Sequence, residues 1–230
     1  MLFIAEIGLN YNGNIDLAGE LIRQASWAGA DIAKFQLGWK GNPGEINFID
    51  ENIIKKLEKL CDFYSIEFMV SIFNENAFNL SHCVNLKRYK IASRTLIDNY
   101  KLVEKILDTK KETFISLGMW ENNKFPFDTR KYSNVKYFWC KSLYPTQPWD
   151  LIDLPKEFTK NEFYGYSDHS IGIESSLIAI SRGALAIEKH FTLDKSSNFI
   201  RDHALSATPE EFLQLTRLGK TICKLRNLGN

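Results

Sequence analysis

Eight short apolar runs, each followed by a more polar stretch, constrain the fold more than any other feature of this sequence. The runs have the length and composition of buried strands. They cover residues 2–8, 31–37, 67–73, 89–93, 113–118, 135–142, 163–169 and 185–192. Strands that alternate with helices form parallel sheets, and eight such units close into a barrel. We therefore predict an α/β fold, a (β/α)8 TIM barrel, with residues 1–230 as one catalytic domain.

The stretches between the runs differ in helical character. Helical patterns cover residues 16–27, 51–64, 100–108 and 171–182. A last helix is predicted after Thr208, a suitable N-cap that is followed by Pro209. Residues 74–80 leave room for only a short third helix, and residues 121–134 contain Asn122, Asn123 and Pro126, which disfavour a helix. We expect the fifth helix to be reduced or missing.

Side-chain alternation along the strands collects ionisable groups on one face. In the first run, Ile4 and Glu6 share a face, and Phe3, Ala5 and Ile7 share the other. The same alternation groups further residues with Glu6: Lys34, Lys90, His169, Glu188 and His190. A buried charge must be paired, solvated or bound to a ligand. Barrel active sites lie at the C-terminal mouth, so one interpretation of these ionisable residues is an active site there. The other interpretation is a neutralised ion network inside the barrel.

Two lysines with several hydroxyl groups favour an anion pocket. Lysine supplies a point charge, and serine supplies a short neutral donor. The serines stand at the ends of the predicted strands: Ser71, Ser93, Ser116, Ser142 and Ser167. Such a pocket suits a ligand that carries both a phosphate and a carboxylate.

Two histidines end consecutive predicted strands. His169 and His190 therefore fall at the same level of neighbouring strands, where two imidazoles can bind one divalent metal ion. Asp202 follows the eighth strand and is a candidate for a further ligand or for an acceptor of sugar hydroxyls. His82 and His203 lack this placement, and we do not include them.

Short motifs occur in a characteristic order along the chain. They are IAEIGLNYNG at 4–13, AGAD at 28–31, KFQ at 34–36, KIAS at 90–93, SLGM at 116–119, YPT at 144–146, GYSDH at 165–169, EKHFT at 188–192, and DH at 202–203 with Ser206 and Pro209. This order resembles that of the sialic acid synthase (N-acylneuraminate synthase) family, and GYSDH followed by EKHFT is a specific pair. The resemblance covers the barrel domain and does not extend to a C-terminal antifreeze-like domain, which we expect this chain to lack.

This resemblance implies a metal-dependent transferase that condenses phosphoenolpyruvate with an N-acetylmannosamine-like aldose. The products are a sialic-acid-like 2-keto-3-deoxy sugar acid and phosphate. It implies Mn2+ or Mg2+ as the cofactor, held by His169 and His190. The residues implied to hold phosphoenolpyruvate are Lys34, Ser71, Lys90, Ser93, Ser116, Ser142 and Ser167. Those implied to face the sugar, the attacking water or the water shell of the metal are Glu6, Gln36, Tyr144, Glu188 and Asp202.

Departures from the family motifs leave the aldose open. Tyr11 stands where the family has histidine, Leu117 where it has threonine, and Ser142 where asparagine is common. The alternatives are a related 3-deoxy-octulosonate or heptulosonate type of synthase, a Schiff-base aldolase that uses Lys34 or Lys90, and a catalytically inactive barrel that binds a sugar or a partner. A further expectation is a separate protein that supplies a lid over the site in place of the C-terminal antifreeze-like domain.

Composition excludes other partners. The formal net charge is +1, so we expect no binding of nucleic acid or of an anionic membrane. The N-terminus lacks the basic segment of a signal peptide, and the four cysteines form no CxxC pair, so we expect a cytoplasmic protein.

Aromatic residues near the weak fifth helix predict an apolar patch that a second subunit covers. The alternative is that the loop folds back and covers the patch itself. The aromatic residues are Phe125, Phe127, Tyr132, Tyr137 and Trp139.

Overall fold

Eight parallel strands, paired in the order in which they occur along the chain, close into a barrel in the computed structural model. The structure describes residues 1–128, 130–158 and 163–228. The strands are β1 (Leu2–Gly8), β2 (Ile32–Leu37), β3 (Glu67–Ile72), β4 (Arg88–Ile91), β5 (Glu112–Ser116), β6 (Val135–Cys140), β7 (Gly165–Asp168) and β8 (Ala186–His190). The predicted barrel is confirmed, and each strand lies within or close to its predicted run.

The helices surround the barrel, and most of them begin at a side-chain cap. They are α1 (Ile15–Trp27), α2 (Glu51–Phe63), α3 (Glu75–Leu80), α4 (Ser93–Asp98), α5 (Tyr100–Leu107), α6 (Glu174–Ser181) and α7 (Pro209–Leu228). Thr208 caps α7 as predicted: its hydroxyl accepts a bond from the Glu211 amide at 3.3 Å, and the Glu211 carboxylate accepts one from the Thr208 amide at 2.9 Å. No helix in the described part of the chain is long and apolar enough to cross a membrane.

The two faces of the strands build two separate cores, as the alternation predicts. Phe3, Ala5 and Ile7 of β1 join the layer between the strands and the helices. The other face fills the N-terminal end of the barrel with a small apolar cluster: Ile4, Ile32, Met69, Phe114, Phe138 and Ala186. These side chains are fully buried, and such burial stabilises by about 1.5–3 kcal/mol for each large one. This apolar cluster closes the barrel beneath the polar residues at its C-terminal end.

The connections on one side of the barrel are thin. The third helix is short and continues into a 3-10 turn at Ser81–Cys83. Between β5 and β6 the described residues contain no helix, which confirms the expectation for the fifth unit; Thr129 lies outside the described residues. The β6–β7 connection also holds only a 3-10 turn among its described residues, at Pro148–Leu151, and the sequence analysis did not anticipate this.

The aromatic loop after β5 covers the strands itself. Phe127, Tyr132, Tyr137 and Trp139 are all less than a tenth exposed. Phe125 stacks on Tyr137 with ring centroids 4.5 Å apart. The predicted exposed apolar patch is therefore wrong, because side chains of the same loop fill the space that a helix would occupy. The expected homo-oligomer loses this support and stays a prediction.

Candidate active site

Every residue singled out for a site from the sequence lines one cavity of about 310 Å³ at the C-terminal mouth of the barrel. The cavity lining contains Glu6, Lys34, Gln36, Ser71, Lys90, Ser93, Ser116, Ser142, Tyr144, Ser167, His169, Glu188, His190 and Asp202. A wider hollow of about 600 Å³ adjoins it against the β5–β6 loop. That hollow shares Ser142 with the site but has none of its predicted ionisable groups.

Two lysines and two glutamates pair at the bottom of the cavity. Strand register sets Glu6 of β1 beside Lys34 of β2, and the Lys34 ammonium lies 2.7 Å from the Glu6 carboxylate. Glu188 of β8 lies 3.6 Å from Lys34 and 3.3 Å from Lys90. All four side chains are less than a tenth exposed. Their formal charges cancel, so the predicted neutral network exists inside the cavity.

The two lysines differ in electrostatic surroundings. Burial opposes the charge on Lys34, but Glu188 and Glu6 outweigh it and raise the pKa of this ammonium. Burial lowers the pKa of Lys90, and the positive charge of Lys34 nearby lowers it as well. Among the described residues, Lys90 has only Glu188 within ion-pair distance. Burial likewise opposes the charge on Glu188, yet both lysines hold the pKa of its carboxyl well below the usual range. Lys34 is thus tied to the carboxylates more firmly than Lys90.

A chain of hydroxyl groups connects the charges across the cavity. Lys34 donates to Ser71 at 2.8 Å, and Lys90 donates to Ser116 at 2.7 Å. The Ser116 hydroxyl lies 2.9 Å from that of Ser167, which donates to Glu188 at 3.2 Å. Serines on β3, β5 and β7 therefore lie among the ammonium groups, where they can donate to an anion.

Gly8 makes room for the arrangement at the end of β1. Its φ of 54° lies in the left-handed region, which glycine adopts without strain. A Cβ atom there would lie 3.0 Å from the Glu6 carboxylate and 3.2 Å from the Gln36 amide. That amide donates to Glu6 at 2.9 Å. A larger residue at position 8 would disturb both side chains.

The imidazoles of His169 and His190 face the same space, with ring centroids 5.6 Å apart. His169 Nδ1 lies 2.8 Å from the Lys141 carbonyl oxygen, so Nδ1 carries the proton and Nε2 is left as a donor for a metal ion. Burial, together with neighbouring His190, lowers the pKa of His169 to about 3, which keeps this ring neutral.

The histidine pair fits a divalent metal ion as two of its ligands. His190 Nδ1 is buried and has no hydrogen-bond partner among the described residues, which a ligand would correct. No group of three or more His, Cys, Asp or Glu side chains in residues 1–128, 130–158 and 163–228 is arranged as a metal site. Two protein ligands leave the remaining positions to substrate and water.

Tyr144 and Asp202 close the side of the cavity next to the histidines. The Tyr144 ring packs on His169 with centroids 4.1 Å apart. Asp202 belongs to a 3-10 turn, Arg201–His203, and is 8% exposed. His203 contacts Thr192 and Asn12, and His82 is exposed next to Asn79, so neither lines the cavity.

A buried ion pair behind His169 was not predicted from the sequence. Lys189 lies 3.3 Å from Asp168, and both side chains are fully buried between the barrel and α6. The Asp168 carboxylate also accepts bonds from the hydroxyls of Ser170, Ser175 and Ser176 at 2.6–2.8 Å. Strand alternation places Lys189 opposite Glu188 and His190, on the face that the helices cover, and the burial of a lysine there is the signal that it needs an anionic partner.

Two arginines in the cavity lining were also missed. Arg94 lies over the Trp39 ring at 5.8 Å, and Arg201 lies over the Tyr144 ring at 4.5 Å. Both arginines and Trp39 line the cavity. They occupy loops and helix ends, where strand alternation gives no information on direction.

The closed barrel and the polar cavity at its C-terminal mouth define an α/β-barrel enzyme. Comparison with known proteins specifies the family: the chain belongs to the NeuB family, whose model matches residues 45–229. The family resemblance of the sequence motifs is thereby confirmed.

Named relatives agree with this membership. The chain is 32% identical to N,N'-diacetyllegionaminic acid synthase of Legionella pneumophila, over 93% of this chain and 70% of that protein. It is 31% identical to human N-acetylneuraminate-9-phosphate synthase, over 93% of this chain and 68% of that protein. The crystal structure of N-acetylneuraminic acid synthetase from Leptospira borgpetersenii superposes with a TM-score of 0.85 at 29% identity, covering 100% of this chain and 85% of that one.

Proposed function

We propose that this enzyme condenses phosphoenolpyruvate with an open-chain aldose of the N-acetylmannosamine type. The products are phosphate and a sialic-acid-like 2-keto-3-deoxy sugar acid. One observation carries the proposal: all residues implied by the family motifs converge on a single cavity, with paired lysines at its bottom and two histidines beside them. The named synthases of the same family support it.

The lysines and serines are the groups that we assign to phosphoenolpyruvate. Lys34 and Lys90 offer two ammonium groups, and the hydroxyls of Ser71, Ser116 and Ser167 lie among them. A phosphate and a carboxylate can each accept charge-assisted bonds from such a set. Ser93 and Ser142, which also line the cavity, complete the group of neutral donors.

The reaction joins two carbon atoms and breaks one carbon–oxygen bond. The methylene carbon of the enol attacks the aldehyde carbon, and the aldehyde oxygen gains a proton. Water adds to the carbon that carried the phosphate ester, and that carbon loses phosphate to become the new ketone. Positive charge develops at this carbon, and we assign its stabilisation and the orientation of water to the Glu6 carboxylate. Holding both substrates in one cavity adds to the acceleration.

His169 and His190 would hold Mn2+ or Mg2+ in this proposal. When bound, such an ion supplies Lewis-acid polarisation of the aldehyde. The neutral state of His169 and the unpartnered Nδ1 of His190 support this assignment. The aldose and water around it would be oriented by Gln36, Tyr144, Glu188 and Asp202.

We further propose a cytoplasmic location. The free thiols favour it: Cys61, Cys83, Cys140 and Cys223.

Phosphate release with phosphoenolpyruvate, Mn2+ and a panel of aldoses tests the proposal. We expect release that requires an aldose, stops with a chelator and disappears in His169→Gln and His190→Gln. His82→Gln is the matched control, because His82 is exposed and outside the cavity. This variant should keep wild-type activity.

Each alternative gives a different result. Release that prefers a non-acylated aldose would favour a 3-deoxy-octulosonate or heptulosonate type of synthase. Activity that survives chelation, with substrate trapped on a lysine by borohydride, would replace the proposal with a Schiff-base aldolase. No release with any aldose, together with no metal binding, would mean an inactive barrel that binds a sugar or a partner.

A further inference from the structure

Arg201 is a cation at the cavity mouth that the proposed chemistry does not use. It belongs to the turn after β8, its side chain is 72% exposed, and it lines the cavity beside Asp202. Its Nε atom lies 3.4 Å from the Asp202 carboxylate. The terminal Nη1 and Nη2 groups have no hydrogen-bond partner among the described residues. The side of the guanidinium that binds oxyanions best is therefore available.

The Tyr144 ring lies between Arg201 and His169, one of the two histidines that would hold the metal ion in the proposed function. The guanidinium lies 4.5 Å from the Tyr144 centroid, and that ring lies 4.1 Å from the His169 centroid. Arg201 and the His169 ring are therefore separated by at most the sum of these two distances, which an open-chain hexose bridges once its contacts at both ends are included. An aldose with its aldehyde beside the histidines can thus place its far end at Arg201. Stacking also restricts the arginine side chain before any ligand binds.

The charges inside the cavity bear on this cation. Lys34 and Lys90 are already paired with Glu6 and Glu188. Arg201 also has a carboxylate partner, but Asp202 meets only its Nε atom, at 3.4 Å, and leaves the terminal amino groups available. Arg94 has no ion-pair partner in the described part of the chain. A neutral sugar would gain little from a guanidinium, whereas an anionic substituent would gain charge-assisted bonds.

We propose that Arg201 binds an anionic group, a phosphate ester or a carboxylate, at the end of the acceptor aldose remote from its aldehyde. The inference rests on the proposed function and narrows its acceptor to anionic aldoses. Arg201 then acts as a specificity-determining residue. The stack on Tyr144 aims its terminal amino groups at that end of the sugar, and Asp202 retains its contact with Nε.

Arg94 provides a matched control on the opposite side of the mouth. It follows Ser93 after β4, and in an eight-stranded barrel β4 lies across from β8. It stacks on Trp39 in the same manner as Arg201 on Tyr144, and both arginines line the cavity. Arg94→Gln and Arg201→Gln therefore remove the same charge from the same cavity, but only the second should alter acceptor preference.

Steady-state kinetics with three acceptors tests the inference. The acceptors are N-acetylmannosamine, its 6-phosphate, and mannuronate as the carboxylate source. We expect wild-type enzyme to favour one of the two anionic aldoses. Arg201→Gln should raise the KM for that aldose roughly tenfold or more, the usual effect of losing charge-assisted hydrogen bonds. The KM for phosphoenolpyruvate and the kinetics with neutral aldose should hold, and Arg201→Lys should restore part of the preference.

Several results would overturn it. These are a wild-type preference for the neutral aldose, an equal loss for neutral and anionic aldoses, and an increase confined to the KM of phosphoenolpyruvate. If no acceptor gives turnover, the proposed function fails, and calorimetry then tests the inference separately. Binding of the 6-phosphate or of mannuronate that weakens in Arg201→Gln but not in Arg94→Gln supports it. No binding of either, or equal weakening in both variants, refutes it.

Discussion

Replacement of Lys189 by methionine tests whether the buried ion pair behind the cavity stabilises the barrel. Both Lys189 and Asp168 have fully buried side chains, and the ammonium lies 3.3 Å from the carboxylate. Burial opposes the charge on Asp168, yet Lys189 and the surrounding hydroxyls hold the pKa of this carboxyl below its usual range. Lys189→Met keeps the aliphatic packing but leaves an anion without a countercharge at the C-terminal end of β7.

The expected loss follows from the burial of the pair. Removal of one partner of a buried pair costs about 3–5 kcal/mol, because the remaining charge is uncompensated. For a chain of this size that corresponds to a decrease in Tm of roughly 6–20 °C. Lys189→Met combined with Asp168→Asn removes both charges while Asn can still accept from the serines. The double variant should therefore cost less than the sum of the single variants, with a coupling of about 0.5–3 kcal/mol.

Urea unfolding followed by circular dichroism, with a chelator present, measures these differences. Lys195→Met is the matched control, since Lys195 pairs with Glu211 near the surface, where such pairs contribute about 0–1 kcal/mol. A loss for Lys189→Met no larger than that of Lys195→Met would refute the reasoning. Additive losses in the double variant would show that the two charges do not stabilise each other.

Three further predictions concern the cavity. Lys34→Met leaves Glu6 and Glu188 without their shared cation and should destabilise the fold by about 3–5 kcal/mol. Lys90→Met should mainly raise the KM for phosphoenolpyruvate. Equal melting temperatures of the two variants would contradict this difference. Calorimetry should show phosphoenolpyruvate binding at least roughly tenfold tighter with Mn2+ than with chelator, because the lysines alone are already neutralised; equal affinities would contradict it. Since the pKa of His169 is about 3 when folded and about 6.5 when unfolded, acidification between these values favours the unfolded chain. In urea unfolding with chelator, the stability of wild type relative to His169→Gln should fall by about 1.4 kcal/mol per pH unit in that window, and a pH-independent difference would contradict the buried neutral state.

Strand positions and strand faces could be predicted because they depend on local pattern. Side chains alternate along a strand, so one charged residue in an apolar run identifies the face that it shares. Glu6 and Lys34 illustrate this, since each was assigned to the barrel interior from its own run before their pairing was visible. The motif resemblance then supplied roles that alternation alone could not.

The features that were missed depend on contacts between distant segments. The partner of Lys189 comes from β7. The β6–β7 connection buries Leu154 and Phe158 in the layer between strands and helices, which its local sequence does not reveal. Arg201 lies in a turn without periodicity, and its direction is set by the Tyr144 ring on another loop. The aromatic loop after β5 has the composition of an interface, and only its stacking on Tyr137 shows that it covers its own strands.

The neutral ion network and the candidate active site are one structure and need not be competing interpretations. A set of lysines without carboxylates would be costly to bury in the empty barrel, and Glu6 and Glu188 remove that cost. An incoming anion must then compete with these carboxylates for the ammonium groups, which leaves negative charge to be balanced elsewhere. The histidine pair offers a place for the compensating cation, because His169 is neutral and the buried His190 Nδ1 atom has no hydrogen-bond partner among the described residues. The paired charges thus stabilise the ligand-free barrel, and they are the reason why we propose that a metal ion is needed when the anion binds.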